Sequence, residues 1–322
     1  MRVRSNRPPL RQRGLAIITA VLVVAIIATV AASLGLGQQV WLRQTENLVD
    51  RAQSDALRQG ALDWVALWLA RDATQNKTDH LGEIWAKNLP PLPAENAMIT
   101  VAVTDAQGRF NLNSLLRHGA PSAPDIGVFR RLLSALDLDP NLTEALLDWM
   151  DADNDTRPGG AEDIEYLALP QPYRAANQAL ASLEELRLVK GFSAQAIEKL
   201  RPYVSVLPEP TAINVNTAPG AVLAALFTDV PVEMLQPILD SRVSQPFADV
   251  GQFLQRLPAG HASSEASISV STGYFLVAIE IQSGRLTRRT EALIQRPANQ
   301  PATVLWQQRQ YRQPEPATEE HV

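Results

Sequence analysis

Between residues 141 and 170 eight acidic side chains (Glu144, Asp148, Asp151, Asp153, Asp155, Glu162, Asp163 and Glu165) meet a single base, Arg157. Carboxylates this dense repel one another unless a cation neutralises them. Asp151, Asp153 and Asp155 stand at positions one, three and five of a loop whose twelfth position is Glu162. That is the oxygen-ligand spacing of an EF-hand loop, in which the last Glu binds bidentately. Position six departs, because Thr156 stands where the EF-hand turn requires glycine. Gly159 and Gly160 follow Pro158 instead, so the chain turns later and the EF-hand fold is not implied. Hard carboxylate oxygens without His or Cys suit calcium better than zinc or copper. Asp163 is an extra candidate ligand, and Asp148 is placed for a second ion or for support behind the first. A solvated acidic loop with no metal is the competing reading.

Other chemistry is sparse. The chain has no cysteine, which excludes disulfides, zinc-thiolate sites, iron–sulfur clusters and thiol nucleophiles. His80, His118, His261 and His321 lie too far apart for a zincin-type pair. There is no phosphate loop, dinucleotide fingerprint or Gly-x-Ser-x-Gly elbow. The expectation is therefore a protein that is not an enzyme, with no catalytic residues. Leu183–Leu200 reads as a helix-hairpin-helix, and Asn214–Arg242 as a second, related copy. Residues 183–256 carry six bases against eight acids, and the second hairpin contains Asp229 and Pro231. Proline offers no N–H to a phosphate and the acid repels one, so nucleic acid is not the expected ligand. These units read as protein-contact modules. Asn111-Leu112-Asn113 and Asn214-Val215-Asn216 are similar triplets, expected to cap helices or bond turn backbone.

The elements that position these groups begin with a membrane segment. The chain has 322 residues and net charge -5, enough for about two domains. Its 46% apolar and 20% charged composition excludes wholesale disorder. Residues 1–13 carry Arg2, Arg4, Arg7, Arg11 and Arg13 and no acid. Leu15–Leu36 is nearly pure Ala, Val, Ile and Leu, and as a helix it rises about 33 Å, enough to cross a bilayer. The arginines keep the N-terminus cytoplasmic and put the bulk outside. On these residues three readings stand: a cleaved secretory signal ending near Ala32, an uncleaved signal anchor, or a leader cut after Gly14.

No proline occurs between Pro9 and Pro90. Apolar residues at helical spacing carry one helix from Leu15 to about Asp72, with Trp64 and Trp68 expected in the core and Leu62, Val65 and Leu69 widening the stripe. Pro90–Pro93 reads as a stiff linker. Met98–Asp105 alternates as a strand. Short helices are expected at 124–136, 140–150, 182–189, 193–203, 218–227, 231–242 and 248–256. Strands return at Tyr274–Gln282 and Leu286–Gln295, around a hairpin at Ser283-Gly284-Arg285, and at Thr303–Arg312.

Arg11-Gln12-Arg13-Gly14-Leu15-Ala16 resembles the leader of type IV prepilins and type II secretion pseudopilins. Asp148–Asp153, Pro158–Asp163, Pro172–Gln178 and Ile213–Pro219, in this order behind such a leader, resemble the K-type minor pseudopilin family, general secretion pathway protein K. The resemblance implies cleavage between Gly14 and Leu15 by the prepilin peptidase, with methylation of Leu15. The family's fifth mature residue is normally Glu, whereas Thr19 stands there, as is typical of the K-type subunit at the filament tip. It implies an α+β, pilin-like fold: a long N-terminal helix packed on a small antiparallel sheet, with a large inserted α-helical domain. The layout is then leader 1–14, transmembrane part 15–37 of a helix spanning 15–72, linker and first strand 73–106, helical insertion 107–270, C-terminal strands 271–312 and tail 313–322. It also implies one or two structural calcium ions held by Asp151, Asp153, Asp155, Glu162 and Asp163. The implied partners are I- and J-type minor pseudopilins, with an H-type or major pseudopilin below. The implied location is a single pass through the inner membrane of a Gram-negative bacterium, with a role in starting the pseudopilus that exports folded proteins. A signal-anchored, calcium-stabilised periplasmic binding protein outside any filament is the alternative.

Overall fold

The structure, a computed structural model, describes residues 11–94, 96–228, 230–257, 267–284, 286–298 and 300–310. The leader through residue 10, Asp229, His261, Arg285, His321 and the tail lie outside the described residues. The chain divides into two compact units, residues 1–57 and 58–322. In the first, helix α1 (Arg11–Gln75) begins; its most apolar stretch has a mean hydropathy of 2.9 and is wholly exposed, as a bilayer-crossing helix requires. Thr19 Oγ1 donates to the carbonyls of Leu15 at 3.1 Å and Ala16 at 3.0 Å, so its hydroxyl is satisfied within its own helix.

In the second unit the upper part of α1 buries Leu62, Val65 and Leu69 completely. Trp64, expected in the core, is instead 45% exposed and stacks on half-buried Trp68 at 5.3 Å. Residues 62, 65 and 69 form the i, i+3, i+7 seam, and a tryptophan at 64 falls off its edge.

A five-stranded antiparallel sheet follows, made of β1 (Leu92–Ala94), β2 (Ala97–Asp105), β3 (Tyr274–Ser283), β4 (Leu286–Gln295) and β5 (Thr303–Gln310), in the order β1-β2-β3-β4-β5. Strand β2 alternates buried Val101 and Val103 with exposed neighbours, the period-two pattern its sequence carries. The β3–β4 hairpin pairs Ser283 with Leu286 beside Gly284, whose φ of +55° suits glycine. The proline segment expected as a linker becomes β1, with Pro93 opposite Met98. An edge strand tolerates proline because one side needs no ladder donor.

Between Asp105 and Tyr274 lie α2 (Ala123–Ala135), α3 (Leu142–Met150), α4 (Asp163–Leu167), α5 (Ala194–Leu200), α6 (Gly220–Ala225), α7 (Val232–Ser241) and α8 (Val250–Arg256). A 3-10 turn, Leu183–Leu188, occupies the first half of the first hairpin. One core joins them, in which Phe110 stacks on Phe129 at 5.6 Å. Two-residue parallel bridges tie it together: Phe110–Asn111 pairs with Val204–Ser205, and Ile213–Asn214 with Ile268–Ser269.

Below the sheet, Arg296 is buried over the Phe275 ring, 4.6 Å from its centroid. Its guanidinium meets both Asp79 oxygens at 2.6 Å and Asp72 at 3.2 Å. Glu83 accepts from the Trp85 indole at 2.7 Å. This clamp fastens the chain after α1 to the end of β4.

Candidate metal centre

Helix α3 ends at Met150 and delivers two acids to one spot. Asp148 is fully buried on its last turn, and Asp151 caps it with its N–H bonded to the Leu147 carbonyl at 2.9 Å. The loop then returns to start α4, whose cap is Glu162, buried at 1% exposure. Asp151, Asp153 and Glu162 each bring a carboxylate oxygen within 4.8 Å of the others. Asp151 Oδ1 and both oxygens of Glu162 are buried with no hydrogen-bond partner. Burial, followed by the charges of Asp148, Asp151 and Asp153, pushes the Glu162 carboxyl up to about 7. Burial raises Asp151 too, against the pull of Arg157.

Arg157 is the one base of this loop, and it reaches Asp148 and the outer oxygen of Asp151 but not Glu162. Its guanidinium holds Asp148 at 2.6 Å and also binds Asp151, while its N–H reaches Asp148 at 3.1 Å. The late turn follows from glycine. Gly159 has φ +90°, and a Cβ on Gly160 would fall 1.9 Å from Asp148 Oδ2. No side chain fits there.

The five sequence candidates do not all converge. Asp151, Asp153 and Glu162 come together; Asp155 is exposed, and its backbone N–H donates to Asp153 at 2.9 Å. Asp163 accepts from the Ala175 N–H at 3.0 Å and from Arg174 at 3.2 Å, which orients the segment after α4. Asn177 escaped the sequence reading. Its backbone is left-handed, φ +46°, and its N–H bonds the Trp149 carbonyl at 3.0 Å. Its amide nitrogen leans toward the Asp153 carbonyl at 3.4 Å, and its Oδ1 is buried without a partner. An isolated Asn far along the chain gave no spacing signal. The wall behind is aromatic: Trp149 meets Tyr166 edge-on at 5.2 Å, and Tyr166 stacks on Tyr173 at 5.3 Å.

A divalent cation fits this donor set. Three hard carboxylates with three orphaned oxygens are what a calcium-sized ion would satisfy. The other acidic group, Asp72, Asp79 and Glu83, differs because Arg296 pairs with two of its carboxylates and the Glu83 oxygens accept hydrogen bonds, whereas Arg157 takes only one Asp151 oxygen and leaves Glu162 without a partner.

Residues 108–209 and 213–271 match the two described regions of type II secretion system (T2SS) protein K. The type II secretion system protein K of Pseudomonas aeruginosa is 36% identical over 286 residues, covering 85% of each chain. The chain belongs to the type II secretion system protein K family. The Klebsiella pneumoniae protein K is 31% identical, covering 89% of this chain and 93% of its own. The crystal structure of the GspK-GspI-GspJ complex from enterotoxigenic Escherichia coli superposes with a TM-score of 0.68 at 30% identity, over 81% of this chain and all of that one. The chain is thus a minor pseudopilin component of a secretion machine with an α+β, pilin-like fold. Its single long apolar N-terminal helix is consistent with a single-pass anchor.

Proposed function

We propose that this chain sits at the tip of the periplasmic pseudopilus and helps start its assembly, so that folded proteins cross the outer membrane. The observation that carries the reading is Thr19. A filament subunit buries a carboxylate at this position to meet its neighbour's N-terminal ammonium, because a lone buried charge is costly. Here the side chain is a hydroxyl already bonded to Leu15 and Ala16, so it asks for no charged partner above. The chain acts by assembly rather than by catalysis. Its N-terminus faces the cytoplasm, and Leu15 becomes the methylated first residue after cleavage at Gly14.

The solved Escherichia coli relative is held in a GspK-GspI-GspJ complex, which supports I- and J-type subunits as partners. The outward face of α1 offers Trp64 and Leu67, exposed apolar side chains suited to a neighbouring helix. A calcium ion held by Asp151, Asp153 and Glu162 pins the acidic loop; such an ion supplies positive charge and oxygen coordination, and Asn177 Oδ1 is a further available donor.

Electron microscopy of pseudopili carrying a labelled copy tests the placement. Label at one end is expected, and label along the length overturns it. Leu67→Glu is expected to reduce co-purification with the I- and J-type subunits.

A further inference from the structure

Apart from the acidic loop, a groove of about 770 Å³ runs between the sheet and the helical region. Its floor is one face of β3, β4 and β5, where Leu276 pairs with Leu293 and Leu293 with Trp306. Its wall carries Glu184, Arg187, Glu198 and Arg201. These four neutralise one another: Arg187 meets Glu184 at 2.9 Å, and Arg201 meets Glu184 at 2.7 Å and Glu198 at 2.8 Å.

Arg109 lines the same groove and makes no hydrogen bond or ion pair with any described residue. It is half-buried, and burial pushes its guanidinium down; Glu291, which lines the same groove, and Asp105 pull it back up without a hydrogen bond to it, and Arg201 adds to the lowering. Its backbone is held on both sides. A Cβ on Gly108 would strike Thr217 Oγ1 at 2.7 Å, and the Phe110 N–H bonds the Tyr203 carbonyl at 2.9 Å. The guanidinium is therefore presented from a fixed point, with five donors and no acceptor. A half-desolvated cation next to an apolar floor complements a carboxylate flanked by an apolar group.

We propose that this groove binds an extended peptide segment of a partner protein, with a carboxylate on Arg109 and an apolar side chain over Leu276, Leu293 and Trp306. The site goes beyond the tip reading and does not depend on it. The full chain in detergent is titrated with two labelled, end-capped peptides, Ser-Leu-Glu-Leu-Ser and Ser-Leu-Gln-Leu-Ser, followed by fluorescence anisotropy. The Glu peptide is expected to bind, and the Gln peptide roughly tenfold more weakly, since a charge-assisted hydrogen bond is lost. Arg109→Gln should abolish that preference and Arg109→Lys should retain part of it. Gln308→Glu, which adds an acid at an exposed groove position, should bring the Glu peptide down to the Gln level even if Arg109→Gln fails to fold. Absence of binding, equal binding of both peptides, or a preference that survives Arg109→Gln overturns the proposal. So does binding seen only after removal of residues 311–322, which would give the groove to the chain's own end.

Discussion

Asn113 and Leu180 hold each other by reciprocal hydrogen bonds: the Asn113 amide donates to the Leu180 carbonyl at 3.0 Å, and the Leu180 N–H donates back to Asn113 Oδ1 at 2.9 Å. Asn216 does the same to Phe247, at 3.0 and 2.8 Å. In each triplet the first Asn accepts from the N–H of the second, at 3.1 Å for Asn111 and 3.0 Å for Asn214. The two triplets are thus the same device used twice: an Asx turn that aims an amide at a distant backbone. Asn113→Ala should cost about 2–4 kcal/mol, because a buried N–H and carbonyl lose their partner together. Urea unfolding of residues 38–322 measures it. Asn113→Asp should be no better, since a carboxylate cannot donate to the Leu180 carbonyl or to that of Leu207, which the Asn113 amide also reaches at 2.8 Å.

Calcium should raise the melting temperature of residues 38–322, by about 2.7 kcal/mol of stability at a hundredfold excess over Kd. Asp151→Asn with Glu162→Gln should remove the effect, and magnesium should substitute poorly because it demands a stricter octahedron. Without cation, the Glu162 carboxyl is raised from 4.5 to about 7. Its contribution is full below the lower value and is lost as pH rises through the upper one. Calcium should flatten that loss, and a melting temperature unmoved by calcium at any pH refutes the site.

Gly160→Ala should damage the same loop without touching a ligand. The added methyl would overlap Asp148 Oδ2, so the loop must move. A cost of about 1–3 kcal/mol, as for overpacking, with weaker calcium stabilisation is expected. Calorimetry with and without calcium separates the two effects.

Arg296→Leu should cost about 3–5 kcal/mol, because it strands the buried Asp79 carboxylate. Combining it with Asp79→Asn should recover part of the loss. Strictly additive losses in denaturant titrations would show that the pair is not coupled.

Thr19→Val should leave secretion and assembly nearly intact, since the hydroxyl serves only its own helix. A defect as severe as deletion of the gene would remove the argument for the tip. Mass spectrometry of the mature N-terminus is expected to find methylated Leu15, and a start after Ala32 would favour an ordinary signal sequence.

Much of the molecule is local in origin and so was legible in the chain. The apolar run from Leu15, the alternation of β2 and the hairpin beside Gly284 depend on neighbours a few residues away. The crowding of acids after α3 is local too. What the tertiary structure decided is which of them meet. Asp151, Asp153 and Glu162 converge because Gly159 and Gly160 turn the loop beside buried Asp148, whereas Asp163 is drawn off by Ala175 and Arg174. Spacing fixes distance along the chain, not which way a carboxylate faces once a new helix starts. Trp64 left the core for a similar reason: a stripe's width is local, but its centre is set by what packs on it. The partners of Asn113, Arg296 and Asn177 lie tens to hundreds of residues away, and only the fold brings them into reach.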